Sequence, residues 1–329
     1  MKVAILGDTH FGMRGDALHF HEHYKNFYTN IFFPYLKDNN IDTIIQLGDL
    51  FDRRKYINFN SLYLSRKYFF DILSENNITL ITLLGNHDIF WKESLSVSSS
   101  SLLLKDYTNI HIIDSPVRFP VGDTHIDIVP WICKENYDDC ISFISDSKND
   151  LCVGHFEIDG FSMYKGMPSS EGLNREIFKK YELVLSGHYH HKSSRGNITY
   201  LGNPYQMFWN DYKDERGFHL YEPKTNKLKR VKNPYEIFQK IYYNDSTGSH
   251  LSFDTSQCAS SFVKIIVEDK KDYTEFEKFV DSVFATQPHD VKIIETLVND
   301  AFVEDDDNVE IKDTLTLLNE YIDEVEIAV

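Results

Sequence analysis

Cysteine is scarce. The four in 329 residues, Cys133, Cys140, Cys152 and Cys258, include no Cys-x-x-Cys pair. Neither a zinc knuckle nor a disulfide framework is indicated, and buried, reduced thiols are the expectation. Long apolar runs are absent too: nothing approaches the ~20 residues of a membrane-spanning helix. The start, Met1-Lys2-Val3-Ala4-Ile5-Leu6, lacks the long apolar stretch and small-residue cleavage site of a signal peptide. The reading is a soluble, cytoplasmic chain with no membrane partner. No internal repeat occurs, and the one low-complexity stretch, Ser98-Ser99-Ser100-Ser101, reads as a loop and helix cap.

Positive charge is also in short supply, with 34 Lys and Arg against 51 Asp and Glu and a net charge of -17. The imbalance is local. Residues 268–329 hold 19 acidic and 5 basic residues, a net of -14, which leaves -3 for residues 1–267. Such a chain alone is not expected to grip a duplex tightly through its phosphates. A nearly neutral body that binds divalent cations can still present a positive field to a phosphate, because the ions are the largest local charges.

Hydrophobic residues make up 42% of the chain, enough for one large core and a smaller one. Val3–Leu6, Thr43–Leu47, Thr79–Leu84, Leu151–Val153 and Leu183–Leu185 are short, apolar and turn-bounded, as buried strands are. Helical spacing fills the gaps from about Ala17 to Lys37 and from about Phe59 to Asn76. That alternation predicts an α/β layered domain. From His111 the runs shorten and alternate: His111–Ile113, His125–Val129, Ile198–Leu201, Phe218–Tyr221 and Leu228–Val231. They point to antiparallel pairing and a second sheet, hence a four-layer α/β/β/α sandwich over residues 1–233.

A smaller α+β domain is expected over 234–303, with strands at Phe262–Val267 and Val291–Ile294 and a helix from Tyr273 to Phe284. The acidic stretch Glu304–Asn308 reads as a linker. Beyond it Ile311, Leu315, Leu318, Ile322 and Val325 recur at spacings of four and three, a helical stripe that packs back on its own domain or docks on a partner.

Five polar clusters each close an apolar run: Gly7-Asp8-Thr9-His10, Gly48-Asp49-Leu50-Phe51-Asp52, Gly85-Asn86-His87-Asp88, Gly154-His155 and Gly187-His188-Tyr189-His190. Ligands of α/β folds collect at the carboxyl ends of strands. A lone Asp there is usually a helix cap and a lone His a satisfied core residue; five such loops at one edge are another matter. Carboxylate, carboxamide and imidazole together suit a hard divalent ion such as Mn²⁺, and two ions about 3.5–4 Å apart suit phosphodiester hydrolysis.

In that order the clusters read Asp-x-His, Gly-Asp-x-x-Asp, Gly-Asn-His-Asp, Gly-His and Gly-His-x-His, and the chain resembles the calcineurin-like metallophosphoesterases. Within them it is similar to the nuclease subunits that work with ABC-type, SMC-like ATPases on double-strand breaks, in particular the tailed-phage recombination endonuclease subunits. This closer resemblance rests on Gly48–Asp52, Asp127-Ile128-Val129-Pro130-Trp131, Gly160–Met167 and Tyr200-Leu201-Gly202-Asn203-Pro204. It implies a capping, DNA-recognition role for residues 234–303, a homodimer, and host cytoplasm as the setting if phage-encoded. One ion would be held by Asp8, His10, Asp49 and His190, the other by Asp49, Asn86, His155 and His188, with Mn²⁺ expected and Mg²⁺ as the alternative. His87 would protonate the leaving oxygen, Asp52 would orient His87, and Asp88 would accept hydrogen bonds behind the ligands. Cellular members often have histidine at the position of Asp52.

The remaining residues keep ordinary readings. His19, His21 and His23 are expected on a solvated helix face, and His191 is expected to point away. Arg53, Arg54, Tyr164 and Lys165 are candidate DNA contacts. The aromatics Tyr56, Phe59, Tyr63, Tyr68, Phe69 and Phe70 suit either a dimer interface or a core. The function expected is a Mn-dependent DNA nuclease, a double-strand exonuclease and single-strand endonuclease subunit of a nuclease/ATPase recombination and repair complex that docks its partner through the C-terminal helix. The alternatives are a phosphatase or cyclic-nucleotide phosphodiesterase on the same dimetal core, and a scaffold that keeps the site by descent. Against the phosphatase, Arg54-Lys55 stands where protein phosphatases have glycine, and Leu84 where they have arginine.

Overall fold

The structure, a computed structural model, describes residues 2–122, 124–164, 167–168 and 172–295. The chain falls into two compact units. The first, Met1–Met207 with Glu215–Glu236, contains two six-stranded sheets. One sheet runs in the order Lys227–Asn233, Arg216–Glu222, Val3–Leu6, Thr43–Gln46, Thr79–Leu83, Ile110–Ile113. From Val3 onward its four strands are parallel, with Ala4 opposite Ile44, Ile44 opposite Leu80 and Leu80 opposite Ile110. Arg216–Glu222 pairs antiparallel with the first strand, Ile5 opposite His219. The other sheet runs Ser193–Arg195, Ile198–Tyr200, Leu183–Gly187, Leu151–His155, Thr124–Val129, Val117–Val121. Its inner four strands are parallel and both edges antiparallel.

The short runs after His111 do not form one antiparallel sheet: the segments at His111, Phe218 and Leu228 join the first sheet, and those at His125 and Ile198 join the second. Alternation reveals that a strand has two unlike faces, not which neighbour it pairs with.

Side chains point to alternate faces along a strand, and this alternation makes the sandwich. Val3, Ile5, Ile45, Ile81 and Leu83 from one sheet share a buried cluster with Ile126, Ile128, Leu151, Val153 and Leu185 from the other. Each such side chain, fully buried, contributes about 1.5–3 kcal/mol. The opposite face of the second sheet, with Cys152 and Val184, packs on Cys140 and Ile144 of the helix Tyr137–Asp146. Two longer helical segments precede the second and third strands, and each is broken by a π turn, Tyr28–Phe32 in one and Arg66–Phe70 in the other. The π turns bring Tyr28 and Tyr68 into a stacked pair 5.9 Å apart. The result is a four-layer α/β/β/α sandwich.

His21 and His23 are buried, contrary to the solvated face expected, while His19 is exposed. His21 meets the Tyr68 hydroxyl at 3.0 Å and Ser61 Oγ at 2.7 Å, so its ring is satisfied on the core side of the helix. The aromatic stretch divides: Tyr68, Phe69 and Phe70 are buried, whereas Tyr56, Phe59 and Tyr63 are exposed. All four cysteines are free and buried. Ser98 caps the helix Ser99–Leu103 by accepting from Ser101 N.

The second unit comprises, among the described residues, Phe208–Asp214 and 237–295. Its strands Phe238–Asn244, Phe262–Asp269 and Asp290–Glu295 are parallel and adjacent in that order. The helix Tyr273–Phe284 starts at Asp272, whose carboxylate accepts from Thr274 N and Glu275 N. Ile241, Tyr243, Val263, Ile265, Phe276 and Val283 make its core. The acidic stretch from Glu304 and the stripe from Ile311 to Val325 lie outside the described residues. Among the described residues no helix is long and apolar enough to cross a membrane.

Candidate metal centre

Each polar cluster sits at the carboxyl end of its strand, and Asp49 is the meeting point. Its carbonyl accepts from both Thr9 N (3.1 Å) and His10 N (3.0 Å), tying the first loop to the second. Its Oδ1 accepts from His87 N at 2.8 Å, tying in the third. Its Oδ2 then lies 3.3 Å from His155 Nε2 and 3.7 Å from His10 Nε2. One oxygen atom thus faces two groups of donors. The first group is Asp8, His10 and His190, with His10 Nε2 and His190 Nε2 only 3.2 Å apart and Asp8 Oδ2 3.7 Å from His190 Nε2. The second is Asp49, His155 and His188. Asn86 Oδ1 joins it, 2.9 Å from His155 Nε2 and 3.0 Å from His188 Nδ1.

The tautomer of His155 shows what this arrangement requires. Its Nδ1 lies 2.7 Å from the Leu47 carbonyl, which can only accept, so Nδ1 carries the hydrogen. In the neutral ring Nε2 then turns a lone pair toward the Asn86 and Asp49 oxygens, which are also lone-pair donors. Three acceptors cannot satisfy one another; a cation or a proton must stand among them. In the protein alone the proton does. Burial disfavours a charged His155, but Asp49 and Asp8 outweigh it and lift the ring to about 9. His10 likewise rises to about 9, burial being overcome by the Asp52 carboxylate facing its Nδ1 and by the Asp49 and Asp8 charges. Asp49 is held well below the usual carboxylate range, His155, His87 and His10 together overriding its burial. His188 is pushed down to about 3 by burial and by His155, and so offers the neutral ring a metal takes. The residues fit two hard divalent cations sharing Asp49.

These protons set the pH dependence of cation uptake. Cation binding must displace them from His10 and His155, so at pH 7.5 Mn²⁺ loading releases protons and its affinity climbs with pH until about 9. Calorimetric titration in buffers of different ionisation enthalpy counts the protons; a count of zero would contradict the assignment.

The backbone is bent to make these contacts. His10, Asp49 and His188 have φ of 42°, 52° and 83°, all in the left-handed region. Such conformations cost about 1–3 kcal/mol each and persist where surroundings over-determine them. Gly85 is required by close approach, since a Cβ there would collide with Asp49 N and Oδ1.

Behind the ligands, Asp88 is fully buried, accepting from Leu50 N (3.0 Å) and Phe51 N on one oxygen and Gly85 N (2.9 Å) on the other. His87 Nδ1 lies 2.5 Å from the Asp52 carbonyl and so donates to it. The Asp52 carboxylate does not reach His87 as expected: it turns to His10 Nδ1 at 3.4 Å, while the backbone of the same residue orients His87. Arg53 is paired with Asp16 at 2.8 Å, and Arg54 donates to the carbonyls of Ile89 and Phe90. Tyr164 ends the short strand Ser162–Tyr164, and Lys165 lies outside the described residues. His191 approaches Arg216 at 3.4 Å rather than the donor groups.

Four residues of the site have no role assigned from the sequence. Gln46 donates to the Gly48 carbonyl and accepts from Gly48 N and Thr82 Oγ1, bracing the Asp49 loop. The Tyr205 hydroxyl donates to the Thr9 carbonyl at 2.7 Å. The buried Arg216 guanidinium donates to the His190 carbonyl. Trp131 lies against the rings of His188 and His155, at 5.2 and 5.8 Å between centroids. The first three reach the rim through its backbone groups, which leave no residue pattern; Trp131, after a Pro at a strand end, was the one visible signal.

Residues 1–192 match the family model described as Calcineurin-like phosphoesterase. Exonuclease subunit 1 of Enterobacteria phage T4 is 32% identical over 329 residues, 99% of this chain and 93% of that protein. A subunit of the nuclease SbcCD of Staphylococcus epidermidis is 22% identical over 258 residues, 69% of this chain and 67% of the other. Its namesake in Staphylococcus saprophyticus is 24% identical over 263 residues, with the same shares.

Proposed function

This chain belongs to the calcineurin-like phosphoesterase family, and from that premise we propose that it is a Mn²⁺-dependent DNA nuclease, a double-strand exonuclease and single-strand endonuclease subunit that works with an ABC-type ATPase. The observation that carries the chemistry is the single Asp49 Oδ2 facing both donor groups. DNA as substrate is supported by the 32% identity to a phage exonuclease subunit across nearly the full chain.

When bound, two divalent ions lower the pKa of a water nucleophile and offset charge growing on the phosphoryl oxygens. The side chains supply the rest. Asp49 holds both halves of the site at one spacing through its carbonyl and both carboxylate oxygens. His87 is fixed by its Nδ1 hydrogen on the Asp52 carbonyl, so its other nitrogen is the one to deliver a proton to the departing oxygen. The Asp52 carboxylate steadies His10 instead. Arg53, which pairs with Asp16, is proposed as a DNA contact together with Arg54, Tyr164 and Lys165. The exposed Tyr56, Phe59 and Tyr63 support a homodimer. Residues 304–329, acidic and then periodically apolar, support docking on the ATPase.

The test is digestion of end-labelled linear duplex and of single-stranded circles by purified protein. With Mn²⁺ both are expected to be cut, and with EDTA neither. Turnover of a phosphomonoester with both DNAs left intact would sink the reading.

A further inference from the structure

Beside the metal centre, on the His155 side, lies a cavity of about 320 Å³ lined by Trp131, Tyr137, Ile141, Phe156, Glu157 and Ile177, among others. We propose that this cavity receives one unstacked nucleobase of the DNA strand, the base of the nucleotide whose phosphodiester lies at the metal centre. The proposal rests on the nuclease reading above and deepens it.

The cavity is a built feature. Trp131 N donates to the Leu84 carbonyl at 2.7 Å, which fixes this wall to the loop that carries Asn86. The Trp131 carbonyl accepts from Asn136 Nδ2, and Asn136 Oδ1 accepts from Cys133 N, so the turn behind it is closed on itself. Phe156 follows His155 directly, is buried, and packs on Phe178 at 4.8 Å between centroids. On the remaining side, Leu173 N donates to the Glu157 carbonyl at 2.8 Å, and Gly172 passes so close to that carbonyl that a Cβ would stand 2.6 Å from it. His155, a candidate cation ligand, is itself part of the lining, so an occupant of the cavity is a neighbour of the reacting phosphate.

The lining selects the class of occupant. Among the described residues no Lys or Arg contributes, and Glu157 does, so a second phosphate is disfavoured. Flat indole and phenol rings with aliphatic Ile141 and Ile177 suit a planar aromatic body, and the polar groups of Glu157 and Asn174 suit its hydrogen-bonding edge. The volume is at the low end of the roughly 300–1,000 Å³ of small-molecule sites, which admits one base and excludes a duplex. Enzymes that do chemistry on a base take it out of the stack into such a pocket, and here the same extrusion would place the base beside the phosphate.

The test crosses two changes. One removes the base, by placing a tetrahydrofuran abasic residue at the cleaved position of a single-stranded oligonucleotide. The other fills or strips the cavity, with Ile177→Trp and Tyr137→Ala. Each change alone is expected to slow cleavage about 10-fold, the usual effect of one lost stacking platform. Together they cost much less than the product, because both delete the same interaction. Calorimetric Mn²⁺ titration is the control, with both ions expected to bind each variant. Quenching of tryptophan fluorescence by adenosine 5′-monophosphate reads the cavity directly, and Ile177→Trp is expected to weaken it about 10-fold. If DNA is cut but abasic and intact strands are cut equally, or the two losses multiply, the base site is overturned and the nuclease reading stands. If no DNA is cut yet the nucleotide still quenches and the filled cavity does not respond, the nuclease reading falls and the base site stands.

Discussion

Asp49→Asn is expected to lower DNA hydrolysis by at least about 1,000-fold, well beyond the 10–100-fold that loss of an outer hydrogen-bond partner to a metal site costs. The reason is arithmetic of contacts. Asp49 Oδ2 faces His155 at 3.3 Å and His10 at 3.7 Å, so one substitution weakens both cation seats together. Substitution of a residue confined to one group, such as His190, would weaken one seat. Calorimetry with Mn²⁺ distinguishes the cases: two equivalents for the parent protein, and no tight equivalent for Asp49→Asn. The fold should persist, because the Asp49 carbonyl still accepts from Thr9 and His10; circular dichroism checks this. A variant that kept one tight equivalent would show that the carboxylate is not shared.

His87→Gln is expected to separate binding from chemistry. His87 belongs to neither three-residue donor group that includes Asp8 or Asp49, although it comes near His10 and Asp52. Its side chain is anchored on a backbone carbonyl, which leaves the other nitrogen for proton transfer. Removing a positioned general acid costs about 100–10,000-fold, and that loss should fall on kcat while both Mn²⁺ equivalents remain. A fall in metal stoichiometry would recast His87 as a ligand. A substrate with a leaving group that needs no proton, such as 4-nitrophenol, should lose far less than DNA does; equal losses would also count against the acid role.

The architecture was readable wherever a local pattern has one physical meaning. Val3–Leu6 is buried on both faces and is purely hydrophobic, and Thr79–Leu83 alternates apolar side chains with threonines that suit a strand. Glycine followed by Asp, Asn or His at their ends marked the rim, because tight turns against a neighbouring loop exclude a Cβ, as Gly85 does. Strand pairing was not readable, since the segment at Phe218 returns to a strand more than two hundred residues earlier. The burial of His21 was also hidden: a histidine on a helix looks solvated until its partners, Ser61 and Tyr68, are known to face it. Asp52 teaches the same point at the site. Its position in the motif was visible, but the motif does not distinguish a carboxylate from a carbonyl as the group that holds His87. Gln46, Tyr205 and Arg216 brace the rim through main-chain atoms, and a main-chain partner has no letter in the sequence.

The left-handed corners at His10, Asp49 and His188 bear on how the rim can vary. Asn, Asp and His are the side chains that tolerate such a corner best after glycine, and they are also three that bind hard cations. Backbone shape and coordination chemistry therefore admit nearly the same small alphabet at these positions. Val or Ile would be rejected on steric grounds before any question of ligation arose, so drift at these corners runs along a narrow track in which most permitted letters still hold an ion.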